Sequence, residues 1–172
     1  MARPSNRERI LDSFETLVVS GGISNVTLDA VAKHANVSKG GLLYHFPSKQ
    51  SLMEGFGERL HQRVDALVSD APSDPAEIVR WYLAYEIQGP EEATTFNSLL
   101  AALHANDTGS DGLIRSALER LYEPLEALDP YLGSVVQVVG NGLYLSALLG
   151  LPGPPSEMVA ELVEELAQRA ID

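Results

Sequence analysis

Apolar residues recur at three- and four-residue spacing along nearly the whole chain. No stretch alternates apolar and polar positions as a half-buried strand would. The pattern predicts nine helices and no strands. The first runs from Asn6 to Val19 with Ile10, Phe14, Leu17 and Val18 on one face, and Gly21-Gly22 ends it. The second begins at Thr27, a good N-cap, and turns Leu28, Val31, Ala32 and Ala35 inward. After a short turn at Asn36-Val37, a third runs from Ser38 to Phe46 and stops before Pro47. Ser48 then caps a long fourth helix with the stripe Leu52, Phe56, Leu60, Val64 and Leu67. Pro72-Ser73-Asp74-Pro75 breaks the chain. Beyond it the spacing predicts helices at Asp74–Gln88, Glu91–Asn106, Gly112–Leu128, Tyr131–Leu149 and Ser156–Ala170, and Pro124 should kink or shorten the third of these.

Charge divides the chain unevenly. The formal net charge of −12 looks wrong for a nucleic-acid binder, but residues 1–50 carry six cations against four acids, and residues 51–172 carry six arginines against 20 acids. A mildly basic head on an acidic body is the informative feature, because phosphate responds to local charge. Cysteine is absent, so no disulfide, thiol nucleophile or thiolate metal site exists. The polar start lacks the apolar run of a secretory signal, and the expected location is cytoplasmic. No charge occurs from Pro130 to Ser156, yet Gln137, Asn141 and several glycines interrupt that stretch and no cation flanks it. A buried helix fits it better than a membrane span.

An enzyme is not expected. His34, His45, His61 and His104 show no metal-ligand spacing, no Gly-rich loop follows a strand, and no elbow motif surrounds a serine. His61 and Asp65, one turn apart, read as a surface ion pair. No cofactor and no metal are called for.

Residues 27–52, TLDAVAKHANVSKGGLLYHFPSKQSL, carry the strongest signal. Small residues at Ala32 and Ala35 let two short helices cross closely. Asn36 tolerates the left-handed backbone that a tight turn needs, and Val37 fills the angle between the helices. That is a helix-turn-helix, whose second helix enters the major groove. Ser38, Lys39, Gly40 and Gly41 at its start would turn amides, a hydroxyl and an ammonium toward DNA, the glycines allowing close approach.

This stretch resembles the DNA-binding head of the TetR family of regulators. Thr27, Val31-Ala32, Ala35, Val37-Ser38-Lys39-Gly40, Tyr44-His45-Phe46 and Lys49 match the family pattern in register, and with the first helix the likeness covers roughly the first 60 residues. Asn36 stands where the family usually has Gly, Leu43 where Tyr is usual, and Gly41 where Thr or Asn is more common. The resemblance implies phosphate contacts by Thr27, Tyr44, His45 and Lys49, and base or groove contacts by Ser38, Lys39, Gly40 and Gly41. It also implies an all-α, nine-helix, two-domain fold. The helix-turn-helix domain would be 1–50, with the fourth helix (48–70) as connector, and 51–172 would be the effector-binding and dimerisation domain.

The rest of the chain resembles the family only in pattern. In such proteins the C-terminal helices form a ligand pocket and the last two pair with a second subunit. Asn141-Gly142-Leu143-Tyr144 through Gly150-Leu151-Pro152 looks like the penultimate helix of a subgroup, some members of which answer to drugs or dyes. Aromatic rings coexist with Asn and Gln in otherwise apolar helices. The candidate pocket residues are therefore Trp81, Tyr82, Tyr85, Phe96, His104, Tyr122, Gln137, Asn141 and Tyr144; each alone reads as core, and only their coexistence points to a pocket. The final helix sets Val159, Leu162, Val163, Leu166 and Ala170 against Glu157, Glu161, Glu164, Glu165 and Gln168. The uncharged helix before it is too apolar to hide in so small a domain, which points to burial against a second copy. The implied function is a repressor released from a palindromic operator by a small molecule, working as a homodimer on double-stranded DNA. The alternative is a ligand-independent architectural or division-control protein of the same fold. Gly55 and Gly57 in the fourth helix either pack closely against the first helix or let the fourth pivot.

Overall fold

The computed structural model describes residues 5–21, 25–87, 111–148 and 151–172. Among the described residues the fold is all-α, with no strand. The helices are α1 (Asn6–Gly21), α2 (Leu28–His34), α3 (Lys39–His45), α4 (Lys49–Ser69), α5 (Pro75–Ile87), α6 (Asp111–Tyr122), α7 (Pro130–Leu148) and α8 (Ser156–Arg169). The helix expected over Glu91–Asn106 lies outside the described residues, so eight helices rather than nine can be named among them. Two compact units result, and the division falls inside α4, between Val64 and Asp65, and again inside α6, between Leu118 and Glu119.

In the first unit, local chemistry sets the helix ends. Thr27 caps α2, its hydroxyl accepting from the Ala30 amide at 3.2 Å. Ser48 and Ser51 exchange side-chain and backbone hydrogen bonds at 3.0 Å at the start of α4, a reciprocal cap that satisfies two amides the helix leaves open. The predicted stripe is confirmed: Leu52, Phe56, Leu60 and Val64 are buried and Leu67 half-buried. Phe14 of α1 meets Phe56 of α4 edge to face, centroids 5.2 Å apart. Such a pair contributes about 1 kcal/mol beyond its buried area.

A buried ion cluster also ties α1 to α4. Arg59 donates to Asp12 at 2.6 Å and to Glu15, and Arg63 donates to the other Glu15 oxygen at 2.6 Å. The Arg59 and Glu15 side chains are 10% and 7% exposed. Desolvating such charges is offset only when their hydrogen bonds are nearly complete, so loss of one partner costs far more than the pair is worth. Gly55 is closely packed, though its nearest neighbour belongs to the end of α3 rather than to the first helix. A Cβ there would lie 2.7 Å from the Phe46 ring and 3.4 Å from Arg7, so the glycine makes room for the end of α3.

In the second unit, α5 packs on α7 and α8 around Ile78, Val79, Tyr82, Leu83, Leu132, Val136, Leu166 and Ala167. Asp-Pro starts two of these helices. Asp74 accepts from the Glu77 amide at 3.0 Å, and Asp129 from the Tyr131 and Leu132 amides at 3.0 and 3.2 Å, with Pro occupying the first helical position each time. Pro124 shortens the preceding helix as expected. α6 ends at Tyr122, and residues Glu123–Ala127 form a 3-10 turn. On the surface, Arg80 of α5 forks onto both oxygens of Glu164 of α8 at 2.9 and 2.8 Å. That hydrogen bond holds the Glu164 carboxyl below its ordinary pKa and raises the Arg80 guanidinium. Asp65 is engaged by Arg120 at 3.0 Å. The described residues hold no cluster of three metal-binding side chains, and no described helix is long and apolar enough to cross a membrane.

Candidate nucleic-acid interface

The turn between α2 and α3 is built as its sequence requires. Asn36 has φ 53°, the one positive φ among the described non-glycine residues. Its amide and that of Val37 donate back to Lys33 and Ala32 at 3.2 and 3.0 Å, closing α2 as the chain reverses. Buried Val31, Ala32 and Ala35 face the head's core, with Val37 half-buried in the bend. Arg9 of α1 also reaches across and donates to the carbonyls of Ala35 at 2.5 Å and Asn36 at 3.4 Å. These acceptors lie at the C-terminal end of α2, where a cation also complements the helix dipole.

Ser38 caps α3 by accepting from the Gly41 amide at 3.0 Å, so that amide is already taken. A Cβ on Gly41 would come 3.1 Å from the capping hydroxyl, whereas one on Gly40 would meet nothing within 4 Å. The inner face of α3 carries Leu42, fully buried, and Phe46 follows at the C-cap, 3% exposed. The outer face carries Tyr44, 84% exposed, with its ring edge-on to His45 at 5.2 Å. No packing demand explains an aromatic ring so far in solvent. Thr27, Ser38, Lys39 and Gly40 are exposed, while Gly41, His45 and Lys49 are half-buried. All eight expected contact residues thus belong to one helix-turn-helix and its immediate flanks.

The basic character of the head is partly internal. Arg7 lies 5.4 Å from the centre of the Phe46 ring and within 3.7 Å of Glu58. Arg9 is held by the turn carbonyls, and Lys39 pairs with Asp29 of α2 at 2.9 Å. Periodicity marked neither Arg9 nor Asp29 as part of this site, since their roles arise from contacts 26 and 10 residues away along the chain.

The expected ligand residues divide. Tyr82 and Tyr144 are buried, 1% and 2% exposed, and Trp81 packs against the core. The Tyr122 hydroxyl lies 3.4 Å from the Asn141 side-chain oxygen, and its ring is 6.4 Å from that of Tyr82. Tyr122 and Gln137 also line an open cleft of about 370 Å³ with Leu125, Glu126, Pro130, Gly133 and Ser134. Phe96, His104 and the side chain of Tyr85 lie outside the described residues.

Two family models match this chain. Residues 10–55 match "Bacterial regulatory proteins, tetR family", and residues 76–170 match "Tetracyclin repressor-like, C-terminal domain". Among curated proteins, the biofilm operon negative transcriptional regulator IcaR of Staphylococcus aureus is 42% identical over 48 residues, 28% of this chain and 26% of that protein. The transcriptional repressor KstR of Rhodococcus jostii is 34% identical over 84 residues, 48% of this chain and 40% of that protein. The chain therefore matches well under half the length of either relative. The multidrug binding protein EbrR complexed with malachite green has a similar fold, with TM-score 0.73, 24% identity and coverage of 97% of this chain and 98% of that one.

Proposed function

Because the chain belongs to the TetR family of bacterial regulatory proteins, we propose that it is a sequence-specific DNA-binding transcriptional regulator, a repressor that a small molecule releases from a palindromic operator. The observation that carries the DNA reading is the outer face of α3. There, Tyr44 stands 84% exposed beside His45 on a helix whose start is capped by Ser38 and whose inner face is anchored by Leu42. Thr27, Tyr44, His45 and Lys49 contact phosphate, fixing register, while Ser38, Lys39, Gly40 and Gly41 face base edges. Selection of bound sequences from random duplex DNA tests this. The expected product is a palindrome, and Tyr44→Ala should weaken binding to it about tenfold, since phosphate contacts also fix the recognition helix in register. Failure to enrich any sequence, or full affinity in Tyr44→Ala, would refute it.

The operator is palindromic because the protein acts as a homodimer through its last two helices. On α7, Tyr131, Val138 and Leu145 recur at seven-residue spacing and are 77%, 70% and 44% exposed, and no charged residue occurs in that helix. On α8, Met158 is 57% exposed. A helix that leaves such residues in water buries them against a partner, and a second copy is the partner the family supplies. Half-site centres would then lie about 34 Å apart, one turn of DNA. Val138→Arg should give a monomer by ultracentrifugation with its helical content unchanged. A dimer that persists would move the interface elsewhere.

Effector release rests on the cleft beside Tyr122 and Gln137. Its lining of one aromatic ring, apolar walls, Ser134 and the Glu126 carboxylate suits a lipophilic cation. Trp81 is the sole tryptophan and belongs to the same unit, so its fluorescence reports binding. Malachite green, which the fold relative EbrR binds, is the first compound to titrate. Coupling is reciprocal, so operator DNA should weaken dye binding by the same factor that dye weakens operator binding. Equal dye affinity with and without operator would favour the ligand-independent alternative.

A further inference from the structure

The described cations of the head are not equally available to DNA. Arg9 is fixed on the α2–α3 turn and Arg7 on Phe46 and Glu58, but Lys39 stands at the first position of α3, on the face that carries the proposed base contacts. Its ammonium lies 2.9 Å from one carboxylate oxygen of Asp29 and 3.2 Å from the other, with the two side chains 60% and 71% exposed. Asp29 belongs to the first turn of α2, two residues after the Thr27 cap. The carboxylate therefore sits on the same outward face as the cation, and any phosphate approaching Lys39 meets it as well.

We propose that Asp29 is a specificity-determining residue, which withholds Lys39 from arbitrary phosphates and leaves it for the geometry of the operator. The proposal rests on the DNA-binding reading above. Non-specific binding draws its affinity from mobile cations that replace counterions on the backbone. A phosphate recruits Lys39 in competition with Asp29, whose carboxylate repels it at this range. In the operator complex the requirement differs. Lys39 is directed to a base edge in the groove, whose acceptors carry no full charge and so are repelled little by Asp29. An exposed ion pair of this kind is weak and opens readily, so the penalty falls on competing phosphates without blocking the operator contact. Asp29 acts through Lys39 and is a positioning residue rather than a DNA contact.

Asp29→Asn keeps the side chain's size and removes its charge. Its affinity should be measured against the selected operator and against a scrambled duplex of the same length, from about 50 to 200 mM salt, by fluorescence anisotropy. The expected result is six- to tenfold tighter binding to the scrambled duplex, with a salt slope steeper by about one phosphate contact, and a change of less than twofold on the operator. Discrimination then falls at least threefold. In a Lys39→Gln background the same substitution should leave discrimination unaltered, which separates action through Lys39 from a general charge effect. Discrimination in Asp29→Asn within threefold of the wild type, or an equal loss in the Lys39→Gln background, would overturn the proposal. A wild-type protein that enriches no sequence would instead overturn the DNA-binding reading itself.

Discussion

Gly40 is a residue the free protein does not need. It is the second residue of α3, and a Cβ built on it meets nothing within 4 Å. Its backbone is not in the left-handed region, so alanine fits without strain. Gly40→Ala should therefore stabilise the unbound protein. A glycine-to-alanine change at a compatible site contributes roughly 0.4–1 kcal/mol by narrowing the unfolded ensemble. The first turn of a helix realises only part of the full propensity difference, so about 0.5 kcal/mol is expected here. For a chain of this size that raises Tm by roughly 1–2 °C. If α3 meets DNA as proposed, the same methyl would enter the space of a base edge or phosphate, and binding should weaken tenfold or more, about 1.4 kcal/mol. Thermal unfolding followed by circular dichroism gives the first quantity, and anisotropy titration of the selected operator gives the second. A lower Tm would show that the space around Gly40 is not open. A higher Tm with operator affinity within twofold of wild type would show that α3 does not approach DNA at this position. Gly41→Ala is the internal control, since its methyl would press on the Ser38 hydroxyl at 3.1 Å and disturb the cap, cancelling the gain in stability.

Three further outcomes follow from the packing. Gly55→Ala should destabilise the head by about 1–3 kcal/mol, because its methyl overlaps the Phe46 ring at 2.7 Å, and urea unfolding measures it. An unchanged midpoint would revive Gly55 as a pivot. Arg59→Leu should cost about 3 kcal/mol in the same assay, since it removes the guanidinium that Glu15 faces while that carboxylate stays buried, and a loss below 1 kcal/mol would mean that water reaches the cluster. The Arg80–Glu164 fork should make a small pH-dependent contribution. Glu164 titrates lower in the folded than in the unfolded protein. Its stabilisation is therefore present above the ordinary glutamate pKa near 4.5 and is lost as pH falls through the lowered value. The difference between wild type and Arg80→Ala should shrink in that window, and a difference that grows on acidification would reverse the assignment.

The sequence by itself determined the features whose causes are local. The Thr27 cap, the left-handed Asn36, the Ser38 cap, the stop before Pro47 and the break of α6 at Pro124 each depend on a few adjacent residues whose backbone preferences and hydrogen-bonding reach span one turn. The same holds for the buried stripe of α4, which period alone reveals. Tertiary structure decided which charges are available. Lys39, Arg9 and Arg59 read alike as basic residues, yet one pairs with Asp29, one holds the α2–α3 turn and one is buried among carboxylates of α1. It also decided that Gly55 is a packing residue and that Tyr131, Val138 and Leu145 of the uncharged helix face outward while Leu132 and Val136 face the core. The physical reason is the same in each case. A helix's own sequence gives the angle between its side chains, but a cation's partner or an apolar face's cover comes from another helix, set by packing across 10 to 84 residues of chain.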